Sequence, residues 1–294
     1  MNPDPPELVL GTIRIITYAG YVLLAGTFTF WAIVWPHGRR AARLVVLAVI
    51  GIALSAVAVL AGPVVQVLTG QTFADAVATP SGAALIVRFA AVASATFFLP
   101  DIVRGNVAGW RRLAPLLVVV VMAATMVAQS DAAEGAWRVA ISVVAIVHLL
   151  AVATWLGALV AMVTLVVRRG RLQELDELTR RVAAVSSASV VVLAVTGTVQ
   201  AVAQIGALHP PATSAYGVVL LIKVALLAGV LLVGWHGRAE AARVAFRASY
   251  ATGNAELVRA RRVHALVVVA GVELAIAAMI LATTAVLVAY APSP

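Results

Sequence analysis

Residues 139–167 read VAISVVAIVHLLAVATWLGALVAMVTLVV, an apolar run whose one ionisable group is His148. Arg138 precedes the run and Arg168-Arg169 follow it. About 20 apolar residues cross a bilayer as a helix, and the run is too long and too uniform for a barrel strand. It reads as a transmembrane helix. Seven further runs of this kind lie along the chain: Leu10–Trp35, Leu44–Thr69, Gly82–Pro100, Leu113–Ser130, Val182–Ala207, Tyr216–Trp235 and Val263–Tyr290. The expected fold is therefore an all-α integral membrane protein of eight spans, one polytopic domain over residues 1–294.

Composition agrees with that reading. The 294 residues are 63% hydrophobic and 11% charged, with a mean hydropathy of +1.05. A soluble chain is about 25% charged and buries at most about three quarters of its surface on folding, so it could not hide this much apolar area. Net charge is +9, and Lys223 is the only lysine among 21 basic residues. These bases fall in short clusters between apolar runs, not on one soluble face, which argues against nucleic acid as a partner. Cysteine is absent, which excludes disulfides, thiolate metal sites and cysteine nucleophiles. Met1 to Leu8 carry Asp4 and Glu7 and no base. That is not the n-region of a cleaved signal peptide, so the first run is expected to stay.

Seventeen of the 21 bases follow runs 1, 3, 5 and 7, from Arg39 and Arg40 to Arg261 and Arg262. The positive-inside rule makes these loops cytoplasmic and puts both termini outside, with Asp75, Asp131 and Glu134 in outer loops. Trp31, Trp35, Trp110 and Trp235 then fall near the inner interface, where indoles anchor helices. At a constant offset Gly62 matches Gly197, Gly82 matches Gly217 and Arg88 matches Lys223. This suggests two parallel four-helix repeats, 10–130 and 136–292.

Ionisable groups at membrane depth are costly and are functional candidates by default. At 1.5 Å per residue, His148 lies about 11 residues from the outer end of its run and Glu273 about 10 from the inner end of the last, both near the midplane. Met122 lies at similar depth, with Met126 and Met279 further out. Thioethers suit Cu(I) and imidazole suits either copper state, so His148, Met122, Met126, Met279 and Glu273 form a candidate metal ladder. Taken alone, each methionine reads more readily as a packing residue than as a ligand. Arg14, Arg88 and Lys223 fall in the outer halves of their runs. They either snorkel to headgroups, pair with Glu273 and the acidic outer loops, or line a cavity for an anionic ligand. His37, His236 and His264 stand at cytoplasmic ends and His209 in an outer loop. A haem-b cytochrome or quinone-linked subunit, using His148, His236 and His264 with Arg88 and Lys223 on the propionates, is one alternative. An assembly partner whose polar residues only fasten helices is another. No phosphate loop, zinc-spaced pair or nucleophile context stands out, so the chain does not read as an enzyme.

His148-Leu-Leu-Ala-Val-Ala-Thr-Trp155-Leu-Gly157, Thr196-Gly197, Tyr216-Gly217 with Lys223, Arg261-Arg262 leading to Glu273, and Pro292 stand in this order. Together they resemble the copper resistance protein D (CopD) family from about Arg138 to Pro292. In the first half only the span count, Arg14 and Gly26 match. The resemblance implies a bacterial inner-membrane protein that moves copper from the periplasmic side inward, with His148 a ligand and a periplasmic copper chaperone or oxidase assembly factor as partner. Many members carry a Gly-His-Ala-like motif at the outer end of span 4. This chain has Gln129-Ser130-Asp131 there, which removes one ligand from the implied set.

Overall fold

The computed structural model describes residues 5–35, 42–68, 72, 74, 78–105, 109–129, 137–166 and 172–205, and parts of 221–243 and 261–280. Helix is the dominant element, and no strand occurs among the described residues. We label α1 Pro5–Thr29, α2 Ala42–Leu68, α3 Pro80–Ala95, α4 Leu99–Arg104, α5 Trp110–Ala128, α6 Arg138–Val166 and α7 Leu172–Ile205. The shorter apolar helix Val267–Ile280 is α8. Among the described residues six helical segments are long and apolar enough to cross a membrane, and they coincide with the first six expected runs: Gly11–Val34, Ala42–Val64, Pro80–Arg104, Trp110–Ala128, Arg138–Thr164 and Arg180–Ala203. Half of the seventh run lies outside the described residues, and α8 is the longest described part of the eighth.

Helix is forced on such segments because a bilayer offers no partner for unpaired backbone groups. Their ends carry ordinary stop and start chemistry. Thr79 caps α3, its Oγ1 accepting from the Gly82 N–H at 3.0 Å, with Pro80 in the first turn, where a missing N–H costs nothing. Gly105, at φ 73°, ends α4, a left-handed conformation that glycine adopts without a Cβ penalty. Past Thr29, α1 continues as a π-helical turn over Phe30–Val34. Such turns leave carbonyls displaced from the α ladder, and Arg112 Nε donates to the Ala32 carbonyl at 2.7 Å.

The core sits around α1. Tyr21, Leu24, Ala25, Phe28 and Trp31 are almost fully enclosed, with α2 along one side and α6 and α5 along others. Small residues permit the close crossings that membrane helices favour. A Cβ on Gly51 would meet the Leu24 backbone N at 2.6 Å, and one on Gly20 would meet Ser55 N at 2.7 Å. Gly26 of α1 and Gly157 of α6 lie backbone to backbone. Large apolar side chains such as Leu60, Leu117 and Val195 point outward, as lipid contact requires. Trp31 departs from its expected interfacial role: at 2% exposure it is a core residue. The π turn carries the chain past it inside the bundle, whereas Trp110 and Trp235 are exposed as anchors should be.

Arginines collect at the end of the bundle where α1 and α6 finish. Asp101, buried, pairs with Arg104 at 3.2 Å and Arg111 at 3.3 Å, tying α4 to the start of α5. Arg43 Nη1 donates to the Thr164 carbonyl. Outside the spanning part of α7, Glu177 accepts from Arg181 Nε at 2.8 Å and from Arg180. These bonds, Arg181 first, hold its carboxyl below the ordinary value of 4.5. A lowered folded pKa means the pairing stabilises fully above the ordinary value and is lost as pH falls through the lowered one. Acidification below pH 4.5 is therefore expected to loosen the first turns of α7. Amide protection factors over 172–181, which correct for the intrinsic slowing of exchange by acid, should drop with falling pH in the wild type and stay flat in Glu177→Gln; equal slopes would refute the assignment.

Candidate functional site

His148 stands on the face of α6 that meets α7, and its Nδ1 is 2.8 Å from Thr196 Oγ1. The threonine resolves the imidazole tautomer. A hydroxyl has one hydrogen, and Thr196 directs it to the Val192 carbonyl at 2.7 Å, the back-bond that helical threonines make. Its oxygen can then only accept, so His148 Nδ1 carries a hydrogen, and in the neutral ring the lone pair lies on Nε2. That is the state in which a histidine ligates a metal, the second nitrogen being oriented by an outer partner. A Cβ at Gly197 would lie 3.6 Å from His148 Cε1, so any longer side chain there would press on the ring. Beside the pair, a groove of about 330 Å³ runs between α6, from Val147 to Thr154, and α7, from Val185 to Val192. Its walls are apolar except for the hydroxyls of Thr154 and Ser189.

A second polar cluster lies between α3 and α5. Arg88, 5% exposed, donates from Nε to Thr125 Oγ1 at 3.0 Å and from Nη2 to Gln129 Oε1 at 2.5 Å. Gln129 in turn donates to the Ser81 carbonyl at 3.1 Å, and Thr125 back-bonds to the Met122 carbonyl at 2.8 Å. Tyr18 of α1 is within electrostatic reach of Arg14 and Arg88. Arg88 thus neither snorkels nor, among the described residues, pairs with a carboxylate. One helix, α5, supplies it with neutral acceptors instead, Thr125 within it and Gln129 at its end. Gln129, which stands where the family's histidine motif was expected, is one of them.

The other candidates are dispersed in burial. Met122 and Met126 are enclosed in the core on α5, and Glu273 is buried on α8, while Met279 is half exposed. His236, His264 and Arg14 are exposed. Lys223, His37, His209, Gly217, Asp75, Asp131 and Glu134 lie outside the described residues. Among the described residues no three of His, Asp and Glu gather as a metal cluster. Sequence reasoning passed over Thr196 as a partner, Thr125 as an acceptor and Asp101 as a buried carboxylate. Each is an ordinary residue whose role depends on a neighbour from another helix.

These helices and their enclosed ionisable groups define a multi-pass α-helical membrane protein. Residues 176–287 match the family model described as Copper resistance protein D. Thr196, Lys223, His236, His264, Glu273 and Met279 fall inside the matched stretch, whereas His148 precedes it. No curated protein and no solved structure matches the chain.

Proposed function

We propose that this protein handles copper in the bacterial inner membrane, importing the ion or delivering it across the bilayer, with His148 Nε2 as the receiving ligand. The observation that carries this reading is the hydrogen bond between His148 Nδ1 and Thr196 Oγ1, which orients the imidazole at membrane depth. Its partner residue lies within the stretch matched to a copper-related family. Met122, Met126, Met279 and Glu273 are the further donors, the thioethers favouring Cu(I). A periplasmic copper chaperone or oxidase assembly factor is the fitting partner on the outer side. The reading includes eight spans with both termini outside, and two parallel repeats over 10–130 and 136–292. The meeting of α1 and α6 through a glycine from each supports that symmetry, since both would be first helices of a repeat.

The test is copper content and affinity of the detergent-purified protein, with an absorbance spectrum on the same sample. His148→Ala should lose the bound copper. Thr196→Val should weaken copper binding by about 10–100-fold, the usual effect of removing an outer-sphere partner, and Thr196→Ser should restore it. Copper retained in His148→Ala at equal expression would overturn the reading. A Soret band without copper would replace it with a haem site.

A further inference from the structure

Along α7 the residues Val182, Ser186, Ser189, Leu193 and Thr196 recur at three- and four-residue steps and are all buried. Gln200 extends the same series. The opposite face, with Val191, Val195 and Val202, is exposed at 60% or more. The enclosed face of a transmembrane helix is thus its polar face. Counting equal steps along the antiparallel pair from the His148–Thr196 contact puts Thr154 opposite Val190, one residue from Ser189, and both Thr154 and Ser189 line the groove between α6 and α7. From Ser186 to Gln200 the series climbs about 21 Å of a hydrocarbon layer about 30 Å thick.

These groups are not all satisfied by protein. Ser187 and Thr198, off the stripe, bond back to the carbonyls of Ala183 and Ala194, the usual resolution for a hydroxyl in a membrane helix. Ser186 Oγ and Gln200 Nε2, by contrast, are buried and have no hydrogen-bond partner among the described residues. An unpaired polar group in an apolar medium costs several kcal/mol, so two of them on one stripe call for a small polar occupant. Beside a groove that is otherwise apolar, these hydroxyls, the amide and the imidazole, with no carboxylate among them, are the groups that water would bridge.

We propose that the α6–α7 interface is a water-accessible path, walled by Ser186, Ser189, Thr154, Thr196 and Gln200, that admits water and small hydrophilic solutes to the level of His148. It shares His148 with the proposed copper site but does not depend on copper. Its test contains no metal, so the two readings fail separately. The chain has no native cysteine, which makes a cysteine scan free of background. Ser186→Cys, Ser189→Cys and Gln200→Cys are compared with Val191→Cys and Val195→Cys on the outward face, each checked for folding by size-exclusion profile. Spheroplasts and inside-out vesicles are exposed to a small, charged, membrane-impermeant methanethiosulfonate. Only thiolate reacts, and an apolar environment suppresses ionisation, so path positions should label at least about tenfold faster than the two valine positions from one side or the other. Labelling at or below the valine rate at all three serine and glutamine positions, with full reactivity after denaturation, would overturn the path.

Discussion

Gly157→Val is expected to leave little folded protein, and Gly157→Ala to cost about 3 kcal/mol, the upper range for overpacking a filled interior. A Cβ at Gly157 would press on the Gly26 backbone, its oxygen at 3.0 Å and its Cα closer still. From the other side, a Cβ at Gly26 would meet the Ala153 carbonyl oxygen at 2.7 Å. Backbone cannot rotate away as a flexible side chain can, so the methyl group must separate α1 from α6. That separation opens the contacts around Tyr21, Leu24 and Phe28 in the most enclosed part of the bundle. Gly11→Ala and Gly271→Ala are the controls, since a Cβ at either position meets nothing within 4 Å. Melting of the detergent-solubilised protein should fall steeply for the Gly26 and Gly157 variants and hold or rise slightly for the controls. An unchanged melting temperature in Gly157→Ala would mean that the crossing is looser than described.

Thr125→Val should destabilise the fold by about 1.5–3 kcal/mol, the cost of stripping a hydrogen bond from a charged group. Valine keeps the shape of threonine but leaves the Arg88 Nε–H facing a methyl group inside the bundle. Arg88→Met should cost less, although it removes the larger side chain. It deletes the charge together with its demand for partners, and Thr125 remains satisfied by the Met122 carbonyl. Breaking a buried polar arrangement by half is commonly worse than replacing it with a well-packed apolar group. In the double variant the valine should cost little more, because no buried donor remains to be orphaned. Thermal melting of the two single variants and the double gives this coupling directly. If Arg88→Met proves the more damaging single change, Arg88 serves an attraction beyond Thr125 and Gln129.

The membrane class and the six described spans were legible in the chain because hydrocarbon imposes one rule over every stretch of about 20 residues, and composition alone reports it. The depth of His148 and of Glu273 followed from counting along a helix of known rise. Lateral relations were another matter. Nothing in the local sequence of Thr196 distinguishes it from Thr198, two residues away, yet one orients an imidazole and the other only bonds to its own helix. Arg88 read as a snorkelling or cavity-lining base, and only the approach of α5 supplies Thr125 and Gln129 as acceptors. Trp31 read as an interfacial anchor, and only the packing of α1 at the centre encloses it. Periodicity and hydropathy describe how one helix meets lipid, a medium that is the same all round it. Which face turns inward, and which hydroxyl meets which nitrogen, depends on the rotation and crossing of two helices far apart in the chain, and tertiary packing alone decides that.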